Sequence, residues 1–208
     1  MCYSVKAISE LGQLAKAFKA PKNLPEQEGY HPSEKISGFA HPLLPVITQE
    51  DPAQIQLFRW GLIPTWARED KADELAKMTL NAREESIFEK PSFKDSIGSK
   101  RCLLLIDGFY EWRHEKKEKI PYYITLADGK PFALGCIYSV WKGQPTFSIV
   151  TTKANPLMEY IHNTKKRMPL VLSHDEERRW INPELTKADI QDLMQPLDES
   201  EMKAQVLA

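Results

Sequence analysis

The second residue of the chain is a cysteine. A small residue at position 2 generally permits removal of the initiator methionine. Cys2 would then carry a primary amine and a thiol on adjacent carbons. An α-amine has an ordinary pKa of about 7.7–8.0, so roughly a tenth to a fifth of it is neutral and nucleophilic at pH 7. The thiol adds a few per cent of thiolate and is nucleophilic even so. An aldehyde suits this pair best: the amine condenses to a Schiff base, and the thiol closes a five-membered thiazolidine ring. An internal cysteine cannot do this, because its nitrogen is an amide. The alternative is an incidental cysteine in a frayed terminus.

Other polar residues beside apolar strands are candidates of the same kind. Glu111 lies in Gly108-Phe109-Tyr110-Glu111-Trp112. On a strand it faces opposite to Tyr110 and Trp112, which makes it either a solvent-face carboxylate or a general acid/base in a pocket. Asn81 is a helix cap or a site hydrogen-bonder. His162 ends a helical segment, where a histidine often serves only the local electrostatics. Trp60 and Trp66 flank Gly61-Leu62-Ile63-Pro64 and are either core residues or base-stacking platforms. The runs Arg113–Lys117 and Lys165-Lys166-Arg167 are solvated faces or phosphate contacts.

These residues need a scaffold. Residues 8–18 carry apolar positions at helical spacing. Residues 20–54 are irregular, with one short strand at 44–48. Gln54–Trp60 reads as a strand, and residues 80–97 as one or two short helices broken at Pro91. Strands are predicted at 101–106, 108–113, 121–126, 131–141 and 146–152, where β-branched and aromatic residues concentrate. Asp128-Gly129 and Lys142-Gly143 are hairpin signals. Asn155–His162 reads as a helix and Met168–Leu172 as a strand. Ser173 with Glu176 forms a capping box that starts a helix through Trp180. Thr186–Met194 is a last short helix, and the final dozen residues read as frayed. The class is α+β: a single domain whose strongly bent antiparallel sheet forms a distorted barrel with helices around it.

Composition agrees with a folded domain. The 208 residues are 42% hydrophobic and 27% charged, which excludes a disordered chain or a coiled coil. The longest nearly apolar stretch, Phe132 to Trp141, is far short of the roughly 18 residues that span a bilayer. The first residues lack a secretion signal, and the expectation is a soluble cytoplasmic monomer. The three cysteines, Cys2, Cys102 and Cys136, fit no zinc or redox-pair spacing, and no metal or cofactor is implied. Net charge is −1, but residues 182–208 hold six acids and two bases, so residues 1–181 carry +3. A domain over 1–195 with a flexible acidic tail at 196–208 is the expected organisation.

In order along the chain stand Cys2, Arg59-Trp60-Gly61-Leu62-Ile63-Pro64-Thr65-Trp66-Ala67, Asn81-Ala82-Arg83-Glu84, Gly108–Trp112, and His162 to Leu172. Together they resemble the SOS-response-associated peptidase (SRAP) family, the abasic-site-processing proteins, from residue 2 to about 181. The resemblance implies binding of single-stranded DNA and covalent capture of abasic sites, with association to the nucleoid when DNA is bound. Cys2 matches the crosslinking residue, and Asn81, Glu111 and His162 match active-site polar residues. Arg83 matches a DNA-contacting arginine and Trp66 a tryptophan near the DNA. Arg113, Lys165, Lys166 and Arg167 are further expected phosphate contacts. The family's lyase and peptidase labels imply Schiff-base chemistry and self-removal of the residue before Cys2.

This chain departs from the family pattern in places. Tyr3 and Ser4 stand where Gly-Arg is common. Phe39-Ala40-His41-Pro42 replaces an Asn-x-Ala-Pro segment. Asn163-Thr164-Lys165-Lys166 separates His162 from Arg167, where many members have a single residue. In the expected mechanism Glu111 shuttles protons for sugar ring opening and loss of water. Asn81 holds the Cys2 amine, and His162 meets the sugar hydroxyl or the 3′ phosphate. Two rival readings remain at this level: a cysteine peptidase using Cys2 and His162, and a noncovalent nucleic-acid-binding module.

Overall fold

The computed structural model describes residues 1–22, 24 and 29–207. In chain order the strands and α-helices are β1 (Ser4–Ala7), α1 (Leu11–Ala17), β2 (Ser33–Ser37), β3 (Leu43–Thr48), β4 (Ile55–Trp60), α2 (Ala72–Met78), β5 (Asn81–Arg83), α3 (Lys94–Ile97), β6 (Arg101–Ile106), β7 (Gly108–Glu115), β8 (Glu118–Leu126), β9 (Phe132–Trp141), β10 (Gln144–Lys153), α4 (Pro156–Ile161), β11 (Arg167–Pro169), α5 (His174–Trp180), α6 (Lys187–Leu193) and β12 (Met202–Val206).

Five strands close a barrel in the order β10-β4-β3-β6-β9, because β9 and β10 also pair with each other. Closure removes the sheet edges, which would otherwise expose unpaired backbone groups. The barrel is mixed: β4 and β10 run parallel, and so do β5 and β10. All six β6 residues are buried. One of them is Arg101, whose guanidinium donates to the carbonyls of Ile97, Gly98, Trp180 and Asn182 at 2.6–2.9 Å. Those four dipoles replace its lost hydration and tie α3 and α5 to the barrel. Burial lowers its pKa to about 10, so it stays charged at neutral pH.

A second, antiparallel sheet runs β12-β8-β7-β1-β2. The short β1 lies between two neighbours, with Val5 opposite both Ile36 and Phe109. This flanking holds the chain terminus against β7.

The β-rich middle, α4, α5 and α6 form where the residue pattern places them; Ser173 caps α5 as expected, and Asn155 caps α4 by accepting from the Met158 N–H. Residues 81–83 correct the expected helical stretch. They form β5, whose register places Asn81, Ala82 and Arg83 opposite Ile149, Val150 and Thr151. Strand β4 pairs with the start of β10 and β5 with its later half. Gly61 turns the chain away between them at φ +114°, where a Cβ would stand 2.8 Å from the Ala76 carbonyl.

The expected flexible tail at 196–208 is a second correction. Residues 202–206 pair with all of 122–126 on β8. Met202 is buried, and its sulfur accepts from Asn155, the N-cap of α4. The acids Asp198, Glu199 and Glu201 suggested solvation, yet they belong to a short turn that delivers an edge strand. A chain ending at Glu201 is expected to melt about 5 °C or more lower, since burying Met202 alone is worth about 1.5–3 kcal/mol. An unchanged melting temperature would mean that the tail is unattached.

Candidate active site at the chain terminus

Three elements converge on the first two residues. The α-amine of Met1 lies 3.0 Å from His162 Nε2 and 3.3 Å from Glu111 Oε1. Asn81 Nδ2 donates to the Cys2 carbonyl at 2.9 Å. Glu111 projects from β7, on the same face as the buried Phe109. Asn81 and Arg83 share one face of β5, while Ala82 faces the core. His162 caps the C-terminus of α4. The structure thus brings together Cys2, Asn81, Glu111 and His162, which lie up to 160 positions apart in the sequence. Asn81 Oδ1 is buried without a hydrogen-bond partner, an acceptor left open in the site.

Burial sets the charge states. Glu111 is pushed up to about 7 by desolvation, against the opposing pull of the amine. His162 is lowered to about 4, by desolvation first and the positive terminus second. A neutral imidazole follows at pH 7. With Nε2 accepting from the amine, Nδ1 carries the proton and donates to the Arg167 carbonyl at 2.9 Å. The Cys2 thiol is fully buried in the apolar core, and desolvation together with nearby Glu111 pushes its pKa well up. The frayed-terminus alternative for Cys2 fails on this burial.

The residues between His162 and Arg167 do not separate the two. Asn163 pairs with both backbone groups of His114 at 2.8 and 3.0 Å, docking the loop on β7. Lys166 adopts a left-handed conformation (φ 49°), and its N–H donates back to the His162 carbonyl at 2.9 Å. The turn returns Arg167 to the histidine.

Two clefts flank Met1. The first, of about 460 Å³, is lined by Met1, Tyr3, Glu111, Trp112, His114, Lys119, His162, Thr164 and Lys165. The second, of about 370 Å³, is lined by Met1, Tyr3, Lys77, Met78, Leu80, Asn81, Arg83, Lys90 and Phe93. Lys165 therefore lines one cleft at the terminus and Arg83 the other. Trp66 is 52% exposed, with its indole N–H on the Pro91 carbonyl next to Lys90. Trp60, in contrast, is a fully buried brace whose indole N–H holds the Leu80 carbonyl just before Asn81.

Three expected phosphate contacts lie outside these clefts. Arg167 is buried and spent on Glu85 and on the Thr151 carbonyl. Arg113 stacks over the Tyr160 ring at 3.9 Å, bonds the Tyr160 carbonyl and pairs with Glu115. Lys166 is exposed but pairs with Glu159 at 3.6 Å rather than lining either cleft. Sequence reasoning missed Met1 itself as a lining residue, Tyr3, Lys77, Lys90 and Lys119. The register of β1 against β7 was the signal that places Tyr3 beside Glu111, and it is not written in local sequence.

The family model for SOS response associated peptidase (SRAP) matches residues 1–207. The chain belongs to this family. "Abasic site processing protein YoqW" of Bacillus subtilis is 39% identical over 211 residues, covering 98% of this chain and 91% of that protein. "Abasic site processing protein HMCES" of Xenopus tropicalis is 31% identical over 67% of this SRAP chain and 49% of its own, about half its length. A crystal structure of a Bacteroides thetaiotaomicron protein superposes with a TM-score of 0.94 at 41% identity, covering all of this chain and 92% of that one. A Bordetella bronchiseptica crystal structure, at 21% identity and a TM-score of 0.83 over the full length of both chains, shares the fold. Among the described residues no helix is long and apolar enough to cross a membrane.

The charge states have a measurable consequence. Native Glu111 keeps its proton between its ordinary value of 4.5 and about 7, where the unfolded chain has lost it. Stability contributed by Glu111 therefore falls as pH rises through that window. His162 acts in the opposite sense between about 4 and 6.5. Glu111→Gln removes only the first effect. Measured by urea unfolding, the variant should gain on the parent by about 1–3 kcal/mol between pH 4.5 and 7.5. A difference that is flat or of opposite sign would contradict the buried, desolvated carboxyl.

Proposed function

We propose that the chain, once Met1 is removed, captures abasic sites in single-stranded DNA as a thiazolidine on Cys2, shielding the lesion. One observation carries this reading: the terminal amine is seated between a buried carboxyl and a neutral imidazole, and the next residue is a cysteine whose carbonyl Asn81 clamps. Family membership and relatives named for abasic-site processing support it.

The open-chain sugar presents an aldehyde. Neutral His162 or Glu111 takes a proton from the Cys2 ammonium, and the free amine attacks C1′. Glu111, poised near neutrality, gives a proton to the departing hydroxyl, and water leaves to form the iminium. Asn81 fixes the attacking geometry by holding the Cys2 carbonyl. The thiol then adds to the iminium carbon. Its proton passes to the site base, and the five-membered ring closes. Burial keeps that thiol unreactive toward passing electrophiles, while the tethered iminium supplies a high effective concentration. Before closure, neutral His162 is placed to remove the C2′ proton, so β-elimination competes with capture and gives the site a lyase side reaction. Met1 is removed by an aminopeptidase or by the site itself, in keeping with the family's peptidase label.

The chain acts as a monomer on DNA. Phosphates are held by Arg83 in one cleft and by Lys165 in the other, and a base stacks on the exposed Trp66. Phosphate contacts carry no sequence information, as a damage sensor requires. Arg167 and Arg113 serve instead to hold β11 and α4 in place.

Cys2→Ala should retain binding to an abasic oligonucleotide but lose the heat-stable adduct on a denaturing gel. A heat-stable adduct with the alanine variant would assign the capture to another nucleophile. Substituting Lys165 by Ala should reduce the slope of log affinity against log salt by about 1. An unchanged slope would remove Lys165 from the DNA path.

A further inference from the structure

The α-amine of Met1 already occupies the place where a reacting amine is needed, within reach of both His162 Nε2 and Glu111 Oε1. It borders the cleft that these two residues line, and the cleft's volume of about 460 Å³ lies within the usual range for small-molecule sites. We propose that a chain still carrying Met1 is a strand-cleaving lyase toward abasic sites, working through the Met1 amine, and that loss of Met1 converts the same cleft from cutting to capture. This inference rests on the reading that the cleft admits an abasic sugar.

The chemistry balances without any co-reactant other than water. A proton passes from the Met1 ammonium to Glu111 or His162, and the neutral amine forms a bond to C1′ of the open aldehyde. The carbonyl oxygen collects two protons and leaves as water, giving an iminium. The Cys2 thiol cannot divert this species. Its own nitrogen is here a trans peptide amide, so closure would form a medium ring containing a planar amide. With no trap available, the iminium persists. His162 Nε2, neutral and freed from the amine, takes the C2′ proton. The electron pair becomes a C2′–C3′ double bond, the C3′–O bond breaks, and the 3′ phosphate departs. Water then adds to the iminium carbon and returns the Met1 amine, so one water is lost and one consumed. Capture ends after a single event, whereas this path regenerates the chain.

The test compares three full-length chains made by cell-free synthesis that differ only at the terminus. Inhibiting the aminopeptidase leaves a free Met1 amine. Inhibiting the deformylase as well leaves formyl-Met1, whose nitrogen is an amide. Inhibiting neither yields a chain that begins at Cys2. Intact mass before and after the assay verifies each terminus. With an abasic single-stranded oligonucleotide, the free-Met1 chain should cut the strand and give a borohydride-dependent adduct that maps to Met1. The formyl chain should give at least tenfold less of both. If the free-Met1 chain traps no more than the formyl chain, or if its adduct maps to a lysine, the inference is wrong. Capture by the Cys2 chain together with inactivity of the free-Met1 chain overturns this inference alone. Cutting by the free-Met1 chain without capture by the Cys2 chain supports it and overturns the thiazolidine reading instead.

Discussion

The structure turns on how little freedom the chain terminus has. Strand β1 starts at Ser4 and is hydrogen-bonded on both sides, to β2 and to β7. Met1, Cys2 and Tyr3 stand before it, and Asn81 holds the middle one by its carbonyl. A chain end is normally the most mobile and best hydrated part of a protein. Here it is fixed against Glu111 and His162, and the surrounding core removes water from all three. The perturbed carboxyl, the neutral imidazole and the suppressed thiol follow from that one burial, not from separate local devices.

The barrel and the second sheet divide the work. Strand β10 of the barrel carries β5, and through it Asn81 and Arg83. The second sheet carries β1 and β7, and so the terminus and Glu111. Helix α4 bridges them: Asn155 caps it near Met202 of β12, and His162 ends it beside Arg167 of β11. The site therefore lies where independent layers meet, and geometry there depends on the packing of both.

Legibility in the sequence followed the range of the interactions. Strands β6 to β10 were readable because their own β-branched and aromatic residues report burial. Helix α5 was readable because Ser173 and Glu176 mark its start locally. Strands β1, β2 and β12 were not. They are short, and β2 and β12 are mostly exposed; only a distant partner makes them strands. Strand β5 is three residues long, too short for any period to show. Within the site, Cys2, Glu111 and His162 each admitted an ordinary explanation, and only their combination pointed to chemistry. Arg167 was misjudged because Lys165-Lys166-Arg167 reads as one charged face. The left-handed turn at Lys166 divides it, sending Arg167 inward to Glu85 while Lys165 stays at the cleft.

The most direct measurement is to incubate the chain that begins at Cys2 with an abasic single-stranded oligonucleotide, digest the denatured product with nuclease and protease, and sequence the modified peptide by mass spectrometry. The account requires the sugar remnant on residue 2, added with loss of one water, and with neither the amine nor the thiol of Cys2 free to alkylation. A remnant on a lysine or any other side chain, or an unmodified Cys2 with a free thiol, would contradict it.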